Sequence, residues 1–157
     1  GTPWHSQDAE AIRQMRYKLQ ESASERNIKR STGGTMDAEF VTQMLQLKYG
    51  RENPEVCKPG TVEALQALAE AGLLAADAAQ ALSDRYEFLR GVEARIRLMD
   101  STGRHEFPDD PAELAKLEFL IGARDPQQLS EEVEQTIGEM CARFEAIFNQ
   151  HAGPDAQ

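Results

Sequence analysis

The chain has 157 residues, of which 40% are hydrophobic and 28% charged, enough apolar content to bury one core. Its net charge of −10 excludes a general nucleic-acid coat, which needs a basic footprint. No apolar run approaches the roughly 18–20 residues of a membrane span, and no signal-peptide pattern opens the chain.

Gly and Pro punctuate the sequence, and between them no run alternates cleanly enough for a strand. The pattern predicts an all-α helical bundle of about six amphipathic helices with no sheet. A first helix spans about 6–23, capped by Ser6 or Asp8, with Ile12, Met15 and Leu19 as its apolar stripe. The second follows Gly33-Gly34 and runs over 36–49, with Gly50 as its stop. The third starts at Thr61, a good N-cap, and ends at Gly72. A long fourth helix covers 76–99, with Leu82, Leu89, Val92, Ile96 and Met99 on one stripe. Asp110-Pro111 opens a fifth, which Gly122 stops. Asp125-Pro126 announces the last, repeating apolar residues from Leu129 to about Phe148. We therefore expect one helical domain over 1–150 and a frayed tail over 151–157. The chain opens on Gly1 rather than Met, so we expect it to be a piece of something longer. Cys57 and Cys141 lie far apart in the sequence, which suggests a reducing, cytoplasmic setting.

The acidity is uneven. Residues 1–50 hold seven Lys/Arg against six Asp/Glu, whereas 51–157 hold ten against twenty-one. The clearest local basic cluster is Arg26-Asn27-Ile28-Lys29-Arg30, which runs through Ser31 and Thr32 into Gly33-Gly34 and a helix start. Glycine lets backbone N–H groups approach a ligand, and a helix N-terminus attracts anions. From spacing alone the turn is either a phosphate contact or a solvated loop, since the full phosphate-loop pattern is absent.

The second helix places Phe40, Val41, Met44, Leu45 and Leu47 on one arc, with Asp37 near its middle. A buried carboxylate needs partners, which a helix N-terminus and a cation can supply. On the fourth helix, Glu93 sits at the edge of the apolar arc, within reach of Arg90 and Arg97. These residues suit a structural polar network joining the second and fourth helices, or a ligand or metal site. The three histidines (His5, His105, His151) are scattered, Asp109-Asp110 looks like cap chemistry, and Ser22, Ser24 and Ser31 have no recognisable catalytic partner. Trp4 suits packing on a neighbouring element.

Several motifs then occur in order. Ile12-Arg13-Gln14-Met15-Arg16-x-Lys18-Leu19 is followed by Asn27-Ile28-Lys29-Arg30 and by Gly33-Gly34-x-x-Asp37-x-Glu39-Phe40-x-x-Gln43. Thr61-x-x-Ala64-Leu65-x-x-Leu68 and Tyr86-x-Phe88-Leu89-Arg90-x-x-Glu93-x-Arg95 continue the series. The set resembles glutamate–ammonia ligase (glutamine synthetase) adenylyltransferases over about 9–123 and, more distantly, PII uridylyltransferases. Ala38 stands where that family usually has Ile.

The resemblance implies a large parent enzyme with two nucleotidyltransferase units, each a catalytic α/β domain followed by a helical domain. One unit moves AMP from ATP to a tyrosine of glutamine synthetase, and the other removes it by phosphorolysis. PII signal protein and glutamine tune the balance. This chain looks like one such helical domain, preceded by a nucleotidyltransferase domain, with a lean toward the C-terminal, adenylylating unit. ATP and Mg²⁺ would belong to the parent enzyme. The superfamily's Gly-Ser and Asp-x-Asp signatures are missing from the chain. Asp37 and Glu39 diverge by about 200° on a helix and cannot chelate one ion as a strand pair does. The chain alone is therefore expected to be inactive and to hold no metal. The resemblance makes Lys29, Arg30, Gly33, Gly34 and Glu39 the nucleotide- or cleft-facing candidates, and Asp37, Arg90, Glu93 and Arg97 the structural ones. An alternative is a module that docks PII signal protein or glutamine synthetase without touching nucleotide.

Overall fold

A computed structural model describes residues 3–99, 106–122 and 125–153. Six α-helices follow in order: α1 (Ser6–Glu21), α2 (Thr35–Tyr49), α3 (Thr61–Glu70), α4 (Ala76–Met99), α5 (Pro111–Ile121) and α6 (Pro126–His151). A short 3-10 turn, Pro54–Val56, lies between α2 and α3. Among the described residues there is no sheet, only an isolated antiparallel bridge between Asn27 and Glu106. No helix among them is long and apolar enough to cross a membrane. His105 lies outside the described residues.

Helix α2 is the centre of the bundle and packs against α1, α3, α4 and α6. It buries Thr35, Asp37, Ala38, Phe40, Val41, Thr42, Met44 and Leu45. A helix with so many faces covered has little solvent surface left, and its amphipathic contrast fades. Leu65, Leu68, Leu82, Leu89, Leu117, Leu129, Met140 and Phe144 complete one continuous core around it.

The helix ends follow local chemistry. Asp110 accepts hydrogen bonds from the Ala112 and Glu113 N–H groups, and Asp125 accepts one from Gln127. Proline occupies the first turn after each. Gly122 closes α5 at φ +78°, where a side chain would be strained.

Several expectations change. Asp8 does not cap α1 as its N-cap residue; His5 holds that position, and Asp8 accepts the His5 N–H at 2.8 Å. Gly60, not Thr61, is the N-cap of α3. Met15 and Leu47 are exposed, although periodicity put both on apolar arcs. Helix α6 outruns the expected end at Phe148. His151 belongs to its last turn rather than to a frayed tail; it is buried, and its Nδ1 lies 2.7 Å from the Tyr49 hydroxyl. The Lys48 ammonium donates to the His151 carbonyl at 2.9 Å, which suits the negative end of a helix dipole.

Removing one cap should be felt without touching the core. Asp110→Ala should lower unfolding free energy by ~1 kcal/mol, read as a lower urea midpoint at unchanged slope.

Candidate functional site

The basic turn between α1 and α2 is built from beneath. Arg16 on α1 reaches Asp37 with two parallel hydrogen bonds, Nε to Oδ1 and Nη2 to Oδ2, each 2.8 Å. Both side chains are almost wholly buried, at 3% and 2% exposure. Asp37 Oδ2 also accepts the Gly33 N–H at 2.7 Å. The third guanidinium nitrogen, Nη1, donates to Glu145 on α6 at 2.8 Å, and the guanidinium lies 3.7 Å from the centre of the Phe144 ring. Burial alone would make Arg16 easier to deprotonate. The hydrogen bonds and charges of Asp37 and Glu145 outweigh that and hold its pKa above the ordinary arginine value. The buried carboxylate thus has its cation and its backbone donor, which are the conditions for tolerating a buried ion pair.

Arg16 shares the packing of α1 with the expected apolar stripe: Ile12 and Leu19 lie partly buried against the core, and Met15 alone of the three is exposed. Ala9 and Arg16 are its buried residues. Arg13 and Arg16, one turn apart, stack on Phe148 and Phe144, one turn apart on α6. Arg13 also donates to Asn149 at 3.3 Å. The arginine spacing was visible in the sequence, but its partners lie more than a hundred residues away.

The glycine pair is engaged in packing. A Cβ on Gly33, at φ +81°, would meet the Ile137 carbonyl oxygen at 2.1 Å. A Cβ on Gly34 would meet the Ile28 and Lys29 carbonyl oxygens at 2.5 and 2.7 Å. The amides around it are already bonded: Gly34 to the Ser31 carbonyl, Thr35 to Ile28, Met36 to Lys29 and Asp37 to Gly34. The expectation that Gly33 and Gly34 turn their N–H groups toward a phosphate is therefore corrected. The glycines are there because α6 and the turn's own carbonyls come too close for a side chain.

What the turn presents outward is side-chain charge. Asn27 Oδ1 accepts the N–H groups of Lys29 and Arg30 at 3.1 and 3.0 Å and fixes the backbone between them. Arg26 is neutralised by Asp109 and Glu106. Ser24 donates to Glu106 at 2.9 Å, and the Phe107 N–H donates to the Arg26 carbonyl at 2.8 Å. This clasp ties the turn to the chain entering α5, and Arg26 holds the exposed Asp109 carboxyl below its usual range. The Lys29 and Arg30 side chains make no ion pair or hydrogen bond among the described residues. Lys29 is half-buried and Arg30 exposed.

Glu39 points elsewhere. Its Oε1 accepts from the Tyr86 hydroxyl on α4 at 3.1 Å. Burial pushes the Tyr86 phenol pKa up; a Thr61 hydrogen bond opposes this and the Glu39 charge adds to it. Arg90 Nη1 lies 3.5 Å from the buried Glu93 carboxylate, and Arg97 is exposed without a partner among the described residues. Of the expected network, Arg90 and Glu93 pair within α4, whereas Asp37 bonds Arg16 on α1 and the Gly33 N–H. Glu39–Tyr86 is a hydrogen bond that does join α2 and α4. Among the described residues no three His, Cys, Asp or Glu side chains are grouped to hold a metal ion. The donor set does not fit Mg²⁺, because Asp37 is committed to Arg16 and Gly33, and Glu39 to Tyr86.

The family model described as GlnD PII-uridylyltransferase matches residues 5–151. The chain is 36% identical over 124 residues to the bifunctional glutamine synthetase adenylyltransferase/adenylyl-removing enzyme of Agrobacterium fabrum, covering 79% of this chain and 13% of that protein. The protein of the same name from Ralstonia nicotianae is 35% identical over 123 residues, with 78% and 13% covered. That from Streptomyces avermitilis is 41% identical over 104 residues, with 65% and 10% covered. The chain therefore spans about 13% of the length of the first relatives it matches.

Gly33→Ala adds a Cβ against the α6 backbone at a φ only glycine accepts easily, and should cost more than ~1 kcal/mol of stability by chemical denaturation. Tyr86 should titrate above a free phenol. Glu39→Gln removes a charge that raises this pKa and should bring it down, as followed by the Tyr86 ring carbon resonance against pH. The sign follows from linkage: a raised pKa adds stability that is present below pH ~10 and lost as pH rises through the folded value.

Proposed function

Since the chain belongs to the GlnD PII-uridylyltransferase family, we propose that it is the helical domain of a glutamine synthetase adenylyltransferase/adenylyl-removing enzyme. Its relatives carry that name, and it matches about an eighth of their length. In this reading a nucleotidyltransferase domain of the parent chain holds Mg²⁺ and performs the chemistry, in the cytoplasm, with ATP as AMP donor and glutamine synthetase as protein substrate. The helical domain positions nucleotide and protein substrate at the edge of that cleft, for AMP transfer or for phosphorolytic removal. PII signal protein acts on the parent enzyme as regulator.

The observation that carries the proposal is the basic turn. It holds two cations, Lys29 and Arg30, with no anion beside them among the described residues, on a chain whose net charge is −10. An acidic body would normally neutralise such cations. Here Glu106 and Asp109 are taken by Arg26, and Glu25 of the same loop forms no ion pair with Lys29 or Arg30 among the described residues. Lys29 and Arg30 are left to meet an anion from outside, and a nucleotide phosphate has the matching charge. Glu39 and the glycine pair contribute by fixing the turn and α2 rather than by touching the nucleotide.

A second reading draws on a different surface. Met99, Lys116, Phe119 and Leu120 line one shallow groove, and Phe119 is 85% exposed. Such a patch suits protein docking, of PII signal protein or glutamine synthetase, without nucleotide contact.

Titration of this chain with ATP separates the two. The Lys29 ε-methylene and Arg30 Nε–H side-chain resonances should move with saturation, while the backbone amides of the turn, Gly33 and Gly34 included, move less because they are already bonded. Lys29→Ala should weaken ATP binding and leave the melting temperature nearly unchanged, since its ammonium makes no hydrogen bond or ion pair among the described residues. Unmoved Lys29 and Arg30 side-chain resonances would favour the docking module.

A further inference from the structure

The guanidinium of Arg16 joins three segments at once. Nε and Nη2 hold Asp37 at the start of α2, Nη1 holds Glu145 on α6, and the plane stacks on Phe144. Through Asp37 Oδ2, the same node holds the Gly33 N–H and therefore the end of the basic turn. Helix α6 touches this assembly a second time, where the Ile137 carbonyl oxygen sits against Gly33. Ile137 and Glu145 are eight residues apart, about 12 Å along the helix. The turn is thus gripped from α6 at two points, one by backbone contact and one by charge. The charged grip differs from the other contacts in its exposure: the Arg16 and Asp37 side chains are sealed, whereas that of Glu145 is 45% exposed.

We infer that Arg16 is a positioning residue for the basic turn, and that Glu145 is its solvent-side control, so that whatever neutralises or displaces the Glu145 carboxylate on the α6 surface changes how Lys29 and Arg30 are presented. The inference rests on the proposal that this turn meets nucleotide phosphate, and it names the regulation of that site. Its physical basis is competition for one guanidinium. With Glu145 in place, Nη1 is held toward α6 and the remaining two donors align as a fork on Asp37. Without the Glu145 charge, the Nη1 bond loses its charge assistance, and the guanidinium can tilt only by bending the Asp37 bonds that also orient Gly33. Packed interfaces respond to such changes by shifting between discrete arrangements rather than by gradual deformation. Neither residue touches the ligand in this scheme, and each acts through Asp37.

The test uses the 157-residue chain with inorganic tripolyphosphate as probe. Glu145→Gln keeps the shape and removes the charge at a half-exposed position, so the fold should persist. Arg16→Lys keeps the buried charge and removes the fork. In both variants the free-protein amide resonances of Lys29, Arg30 and Gly33 should shift while those of α3 stay in place. Tripolyphosphate affinity should fall about fivefold, the lower end of typical coupling between linked sites. Glu145→Asp should restore part of the loss. Unchanged turn resonances in Glu145→Gln would overturn the inference, and so would a lower melting temperature alone, because a purely structural pair moves stability and not the turn. If the wild-type chain fails to bind tripolyphosphate, the nucleotide reading falls, while the resonance shifts still decide whether Glu145 controls the turn.

Discussion

A carboxylate on the core face of a helix has to be neutralised or the helix cannot be buried there. Asp37 imposes this condition on the whole bundle. Isolated, its charge would cost several kcal/mol in the interior, and the Arg16 fork removes that cost only because geometry and extra hydrogen bonds are both good. Its place in the first turn of α2 adds the favourable end of the helix dipole. Once the pair exists, α1 has no choice of position. It must lie where Arg16 can reach across to α2, and there Arg13 and Arg16 meet Phe148 and Phe144. α1 is therefore attached to the bundle through stacked arginines as well as through Ala9, Ile12 and Leu19, and Met15 is left exposed.

The same pair fixes the turn that precedes α2. Gly33 must bring its N–H to Asp37 while its Cα passes against the α6 backbone, and only glycine satisfies both demands. The amides that a phosphate-binding loop would leave open are closed here by the turn's own carbonyls. Any recognition of an anion by this turn is therefore a matter of side-chain charge. This shifts attention from the glycine signature, which builds the turn, to Lys29 and Arg30, which the turn presents.

Net charge is a poor guide to such a surface. The chain is strongly acidic as a whole, yet Glu106 and Asp109 are paired with Arg26 in a clasp that also anchors the chain entering α5. Among the described residues, Lys29 and Arg30 then form a basic spot without an ion-pair partner on an acidic molecule. Long-range charge and short-range recognition can thus have opposite sign in one domain.

Much of this was legible in the residues. The all-α class, the number of helices and the bounds of α4 and α5 follow from periodicity and from local signals such as Asp110-Pro111 and Gly122, whose effects act within one turn of chain. The face of α2 that carries Asp37, and its need for a cation, also follow from the helical period. The identity of that cation does not. The sequence pattern set Arg90 and Arg97 beside Glu93 and named no cation for Asp37, and Arg16, 21 residues upstream, supplies it. The glycine pair likewise had two readings until α6 was placed against it, with Ile137 brought across from the far end of the chain. Helix periodicity and caps depend on residues a few positions apart and so are written in local order. The partner of a buried charge, and the neighbour that forbids a side chain, depend on how whole helices pack, which no local pattern encodes.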